Sequence, residues 1–105
     1  MIATKMATPE SIVKKEVVKC LTSYGVYHFF PAANGYGRAG IPDIICCING
    51  HMLAIECKAG KGRTTALQER ELKRIQDAGG SALVIYDKPE HFVLLGKTIH
   101  TLLQL

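Results

Sequence analysis

The chain predicts a small mixed α/β sheet with helices packed on it, a single domain over residues 1–105 in the order α-β-β-β-α-β-α. Three observations carry this. Two apolar, branched runs flank Asn49-Gly50, the strongest short hairpin signal a sequence can hold. Two segments with apolar residues at helical spacing open on capping residues, one on each side of that hairpin. A short buried-type strand and a Pro-initiated apolar helix close the chain. A length of 105 residues suits one domain with one modest core.

The elements follow in order. Thr8 is placed to cap a helix with Pro9 at its first position. Ile12, Val13, Val17, Cys20, Leu21 and Tyr24 form its apolar stripe, Lys14, Lys15 and Lys19 lie off it, and Gly25 ends it. Val26 to Phe30 reads as a short extended segment, and Pro31 to Gly40 as a glycine-containing loop. Ile41 to Ile48 and His51 to Lys58 read as the hairpin strands. Both are apolar on both faces, so both faces of the sheet are expected to be covered. Ala59 to Arg63 is a loop. Thr65-x-x-Gln68 is a capping-box pattern opening a helix whose inner face is Leu67, Leu72, Ile75 and Ala78, and Gly79-Gly80 stops it. Ala82 to Tyr86 is a strand, and Pro89 opens the last helix.

Composition narrows the classes. Hydrophobic residues are 48% and charged residues 21%, ordinary for a globular chain. No apolar run reaches the ~18 residues of a membrane span, and the N-terminus lacks the apolar middle of a signal peptide. The net charge of +4 fits a solvated surface with a positive tilt or a polyanion partner. Cys20, Cys46, Cys47 and Cys57 include no C-x-x-C pair, and are read as buried, reduced, small apolar residues. That expectation places the chain inside the cell, in the cytoplasm.

Gly35, Gly37 and Gly40 have the spacing of a dinucleotide-binding fingerprint, which must follow a strand and open a helix. Here the glycines feed Ile44 to Ile48, which have strand character and no helical period. A turn, or a flexible loop beside a site, is the expectation, with no nucleotide cofactor.

The hairpin raises a sharper point. A two-residue Asn49-Gly50 loop, or a symmetric four-residue one, sets Ile48 opposite His51 and Cys47 opposite Met52; a three-residue loop would not. Continued, that register sets Asp43 opposite Glu56, on one face with Cβ atoms ~5 Å apart. Lys58 shares the face. Two opposed carboxylates among Ile45, Cys47, Met52 and Ala54 repel each other and resist burial. A divalent cation is the simplest compensation, and carboxylate oxygens suit Mg²⁺ or Mn²⁺. Glu16, between Ile12 and Cys20, either reaches the same site or bends to solvent. Gln68 either supports the site or only completes the capping box. Lys58 is either a solvated strand end or a lysine that stabilises charge on phosphate.

Pro42-Asp43 followed by Glu56-Cys57-Lys58 resembles the PD-(D/E)XK nuclease signature. The ordered set resembles more closely the virus-type replication-repair nuclease family, VRR-NUC, over roughly Glu10 to Tyr86. It comprises Glu16, GRAGIPD from Gly37 to Asp43, IECK from Ile55 to Lys58, Thr65-x-x-Gln68 and Gly79-Gly80. The resemblance implies a restriction-endonuclease-like core and metal-dependent hydrolysis of DNA phosphodiesters. It implies Asp43, Glu56 and the main-chain carbonyl of Cys57 as metal ligands and Glu16 as the additional helix carboxylate. Lys58 would be the catalytic lysine and Gln68 a supporting polar residue. Stand-alone members of this type resemble archaeal Holliday-junction resolvases and act as homodimers, so branched DNA is the expected partner. Flaps, splayed arms or nicked DNA are the alternative substrates, and a non-catalytic DNA-binding module the alternative class. Arg38, Lys61 and Arg63 are candidates for backbone phosphate contacts. The apolar segment Phe92 to Leu105 fits either the core or a dimer face.

Overall fold

The computed structural model describes residues 7–32 and 38–105. Its elements are α1 (Pro9–Ser23), β1 (Tyr27–Phe29), β2 (Ile44–Ile48), β3 (His51–Cys57), α2 (Ala66–Asp77), β4 (Ser81–Ile85) and α3 (Pro89–Leu103). The order is the expected one. The four strands form one mixed sheet in spatial order β1-β2-β3-β4. β1–β2 and β2–β3 are antiparallel and β3–β4 parallel. Parallel neighbours need a crossover, and α2 supplies it.

Local chemistry explains most boundaries. The Thr8 side chain accepts the Ser11 N–H, with Pro9 in the first helical turn. α2 carries a complete capping box: Gln68 N–H donates to Thr65 Oγ1, and Thr65 N–H donates to Gln68 Oε1. Asn49 and Gly50 have φ of 51° and 82°, as a two-residue type I′ turn requires. The register is the expected one, from Ile48 opposite His51 to Ile44 opposite Ile55.

β2 begins at Ile44, three residues later than the sequence suggests. Gly40 is in a turn, Pro42 has no N–H to give a ladder, and Asp43 is a bend. Where the ladder would continue, the Asp43 side chain takes over, accepting the Cys57 N–H at Oδ2 over 2.8 Å.

One face of the sheet holds the core. Ile44, Cys46, Ile48, Leu53, Ile55, Cys57 and Ile85 meet Val13, Val17 and Leu21 of α1 and Leu95, Ile99 and Leu102 of α3. α3 therefore belongs to the core along one stripe, while Val93, Leu94 and Leu103 are exposed. α2 lies over the other face, against β4. Its buried positions are Glu71 and Leu72, whereas Leu67 and Ala78, expected inside, are exposed. Cover on this second face is partial: Tyr27, Phe29, Cys47 and Met52 stay exposed on the β1–β2–β3 side. Three helices cannot blanket both faces, and two are used on the first. Cys47 is thus exposed rather than buried, Cys20 is half-buried, and all four cysteines are free. No helix among the described residues is long and apolar enough to cross a membrane.

Candidate active site

The site stands where α1 begins and where β2 starts beside the end of β3. Glu56 is the next-to-last residue of β3 and its side chain is 1% exposed. Asp43, just before β2, continues the hairpin register and lies beside it. The third carboxylate is Glu10, in the first turn of α1. Glu10, Asp43 and Glu56 each offer an oxygen, and the three oxygens lie within 4.8 Å of one another. They are the one group of three or more potential ligands so close among the described residues. Thr8, Pro9, Ser11, Lys14 and Ala59 line the cleft around Glu10 and Asp43.

Electrostatics mark Glu56 as the unstable member. Burial, a hydrogen bond with Asp43 and the negative charge of Asp43 push its carboxyl up to about 8; Lys58 opposes the shift and Glu10 adds to it. Its Oε2 is the one buried side-chain nitrogen or oxygen without a hydrogen-bond partner among the described residues. Such an atom is costly unless something binds it. A buried carboxylate with one orphaned oxygen, grouped with two further carboxylates, fits a hard divalent cation such as Mg²⁺ or Mn²⁺.

Lys58 is 8% exposed and its N–H donates to Ile85 O at 3.0 Å, so it is held at the sheet rather than trailing in solvent. Its positive charge partly offsets the upward shift of the Glu56 carboxyl. Cys57 has its N–H on Asp43, which fixes the peptide plane next to the site. Burial pushes its thiol up to about 12, so the sulfur is not a thiolate.

The structure does not bring Glu16 to this group. Glu16 is exposed and paired with Lys19 at 3.6 Å. The buried stripe of α1 is Val13, Val17 and Leu21, with Ile12 half out in solvent. Glu10 is seven residues before Val17, within ~20° of it around the helix axis, so it is Glu10 that extends the buried face towards the sheet end. That spacing was present in the sequence; the apolar Ile12 and Cys20 on either side of Glu16 obscured it. The Gln68 side-chain oxygen is taken up by the capping box. Arg38 faces Glu71, with Nε and Nη2 donating to its two carboxylate oxygens at 3.0 and 3.3 Å. Lys61 and Arg63 line a surface cleft with Tyr86 and Lys88, and Tyr86 Oη donates to Gly62 O at 2.7 Å. Lys88, its Nζ 5.7 Å from the Tyr86 ring centre, is a cation the sequence reading passed over.

Gly40 is followed by a strand, so the nucleotide-binding fingerprint has no helix to serve. Gly35 and Gly37 lie outside the described residues. What remains is a carboxylate trio with a neighbouring lysine on a four-stranded mixed sheet. The family profile of archaeal Holliday junction resolvase (hjc) matches residues 10–96. The chain belongs to the Hjc family. That match spans Glu10, Asp43, Glu56 and Lys58 together. Comparison with curated proteins gave no match. Hjc proteins are nucleases of the PD-(D/E)XK type, so the resemblance drawn from Pro42-Asp43 and Glu56-Cys57-Lys58 holds at the level of the superfamily.

Proposed function

We propose that this Hjc-family chain is a divalent-metal-dependent endonuclease that resolves four-way DNA junctions as a homodimer. The observation that carries the metal-dependent chemistry is Glu56, buried with its Oε2 partnerless and grouped with Asp43 and Glu10, and the family match supports the junction substrate. Asp43, Glu56, Glu10 and the carbonyl of Cys57 would hold Mg²⁺ or Mn²⁺, which when bound supplies a Lewis acid and a water of lowered pKa. The Cys57 carbonyl is offered because the Lys58 N–H of the same peptide donates to Ile85 O in β4, which turns the carbonyl the opposite way. Lys58, kept at the sheet by its main-chain bond to β4, sets a positive charge where a phosphate would gain negative charge. Lys61, Arg63 and Lys88 form an exposed basic rim that suits the phosphate backbone without reading bases. Arg38 and Gln68 support the site from outside its ligand shell.

Two opposed cuts across a junction need two active sites, which a two-fold dimer supplies. Within the superfamily we assign the chain to the VRR-NUC type, on the ordered set GRAGIPD, IECK and Thr65-x-x-Gln68. Its four free cysteines fit a reducing cytoplasm.

An end-labelled mobile four-way junction and a matched linear duplex, incubated with Mg²⁺, Mn²⁺ or EDTA, test the activity. Paired nicks in opposite strands are expected, absent with EDTA and lost in Asp43→Ala and Lys58→Ala. Cuts confined to flaps or splayed arms would move the substrate, and no metal-dependent cut on any structure would refute the reading. Sedimentation equilibrium should give twice the chain mass; a monomer that still cuts would remove the dimer.

A further inference from the structure

The segment that delivers Asp43 is held from a second side, by α2. Arg38 grips both oxygens of Glu71, at 3.0 and 3.3 Å. Arg74, one turn along α2, adds a contact to Glu71 Oε1 at 3.4 Å. The Glu71 side chain is almost fully buried, while Arg38 is largely exposed. A carboxylate on the inner face of a helix is unfavourable unless paired and hydrogen-bonded. The Arg38 hydrogen bond outweighs that burial and holds the Glu71 carboxyl below the usual range.

Two residues on, Gly40 meets the α2 backbone directly. A Cβ there would stand 2.5 Å from the carbonyl carbon and oxygen of Leu67 and 2.8 Å from Gln68 N. Only Ile41 and Pro42 then separate Gly40 from Asp43. Pro42 is buried and its ring fixes φ. Beyond it the Asp43 carboxylate is docked on the Cys57 N–H. The run 38–43 is therefore pinned at both ends, with little rotational freedom between.

We propose that Glu71 is a positioning residue: paired with Arg38, it fixes the Asp43 carboxylate against Glu56 and Glu10 and so sets the site's affinity for a divalent cation. It touches neither cation nor DNA. Arg38 thereby serves as the other half of a clamp. The inference rests on the metal-binding reading above.

The test is calorimetric titration of the EDTA-treated full chain with Mn²⁺ alone, with melting temperature measured in parallel. Glu71→Gln and Arg38→Gln are each expected to weaken Mn²⁺ binding by about tenfold or more, as loss of supporting partners around metal ligands does. The double variant should be no weaker than either single one, because both remove the same pair. Arg38→Lys should recover part of the affinity, since it keeps the charge but not the two-pronged geometry. A fall in melting temperature with unchanged Mn²⁺ affinity would make the pair merely structural and overturn the proposal. Should Glu71→Gln fail to fold, Arg38→Gln decides, its side chain being mostly in solvent. Wild-type protein that takes up no Mn²⁺ would refute the metal-binding reading itself. Wild-type binding matched by the variants would refute the clamp alone.

Discussion

Glu56 and Glu71 are both carboxylates with almost no exposed surface, and they have opposite fates. Glu71 is met by two guanidinium groups and is driven towards the charged form. Glu56 is buried with another carboxylate beside it, and burial first, then Asp43, drives it towards the neutral one. A structural acid is satisfied by its own chain, whereas a ligand-binding acid is left waiting. Under the proposed function Glu10 belongs with the second kind, since its oxygen lies within 4.8 Å of those of Asp43 and Glu56. Glu10→Gln is expected to weaken cation binding by about tenfold or more, with a matching rise in the Mn²⁺ needed for half-maximal cleavage. Glu16→Gln should leave that requirement unchanged and shift stability by less than about 1 kcal/mol, because it loses only an exposed pair with Lys19. Equal effects of the two substitutions would show that Glu10 is not a ligand. Lys58 and Asp43 were legible from the hairpin alone. Glu10 was not, because which part of the α1 stripe is buried, Val13, Val17 and Leu21, is set by packing.

Among the elements, the short run between Arg38 and β2 is held at Arg38, Gly40 and Asp43. Gly40 combines a φ of +83° with a contact a side chain cannot share. Gly40→Ala should lower unfolding stability by about 2–5 kcal/mol, the sum of left-handed strain and overpacking against backbone. Gly60→Ala is the control. Residue 60 also has positive φ, +54°, but nothing lies within 4 Å of a Cβ there, so about 1 kcal/mol is expected. Urea denaturation of both variants reads the difference, and similar losses would mean that the contact with α2 is dispensable. Periodicity predicted α2 itself well, with its capping box, yet misjudged its inner face. Glu71 occupies a core position because its partner arrives from residue 38, which no local pattern can announce. The late start of β2 has the same origin: a side chain, not the backbone, answers the Cys57 N–H.

At the scale of the whole molecule, the proposed metal site would link fold stability to cation binding through Glu56. Its carboxyl is raised from 4.5 to about 8, so without metal the folded state holds a proton that the unfolded chain has released. That contribution is fully present below the unfolded value of 4.5 and is lost as pH rises through about 8. A cation at the site takes the place of the proton and competes with it. The rise in melting temperature produced by saturating Mn²⁺ should therefore be larger at about pH 8 than at about pH 6. Calorimetry at the two values checks this, and a pH-independent increment would detach Glu56 from the metal. The sequence by itself determined the helix starts, the hairpin and its register, and hence the opposition of Asp43 to Glu56 with Lys58 beside them. Those features follow from capping chemistry, turn geometry and a two-residue period, all local. The tertiary structure decided that Glu10 rather than Glu16 completes the acidic group and that Arg38 turns to Glu71. It also decided that the sheet stays partly open beside Tyr27, Phe29 and Met52. Each of these depends on where a helix settles against strands distant in the chain, and packing of the shared core alone sets that.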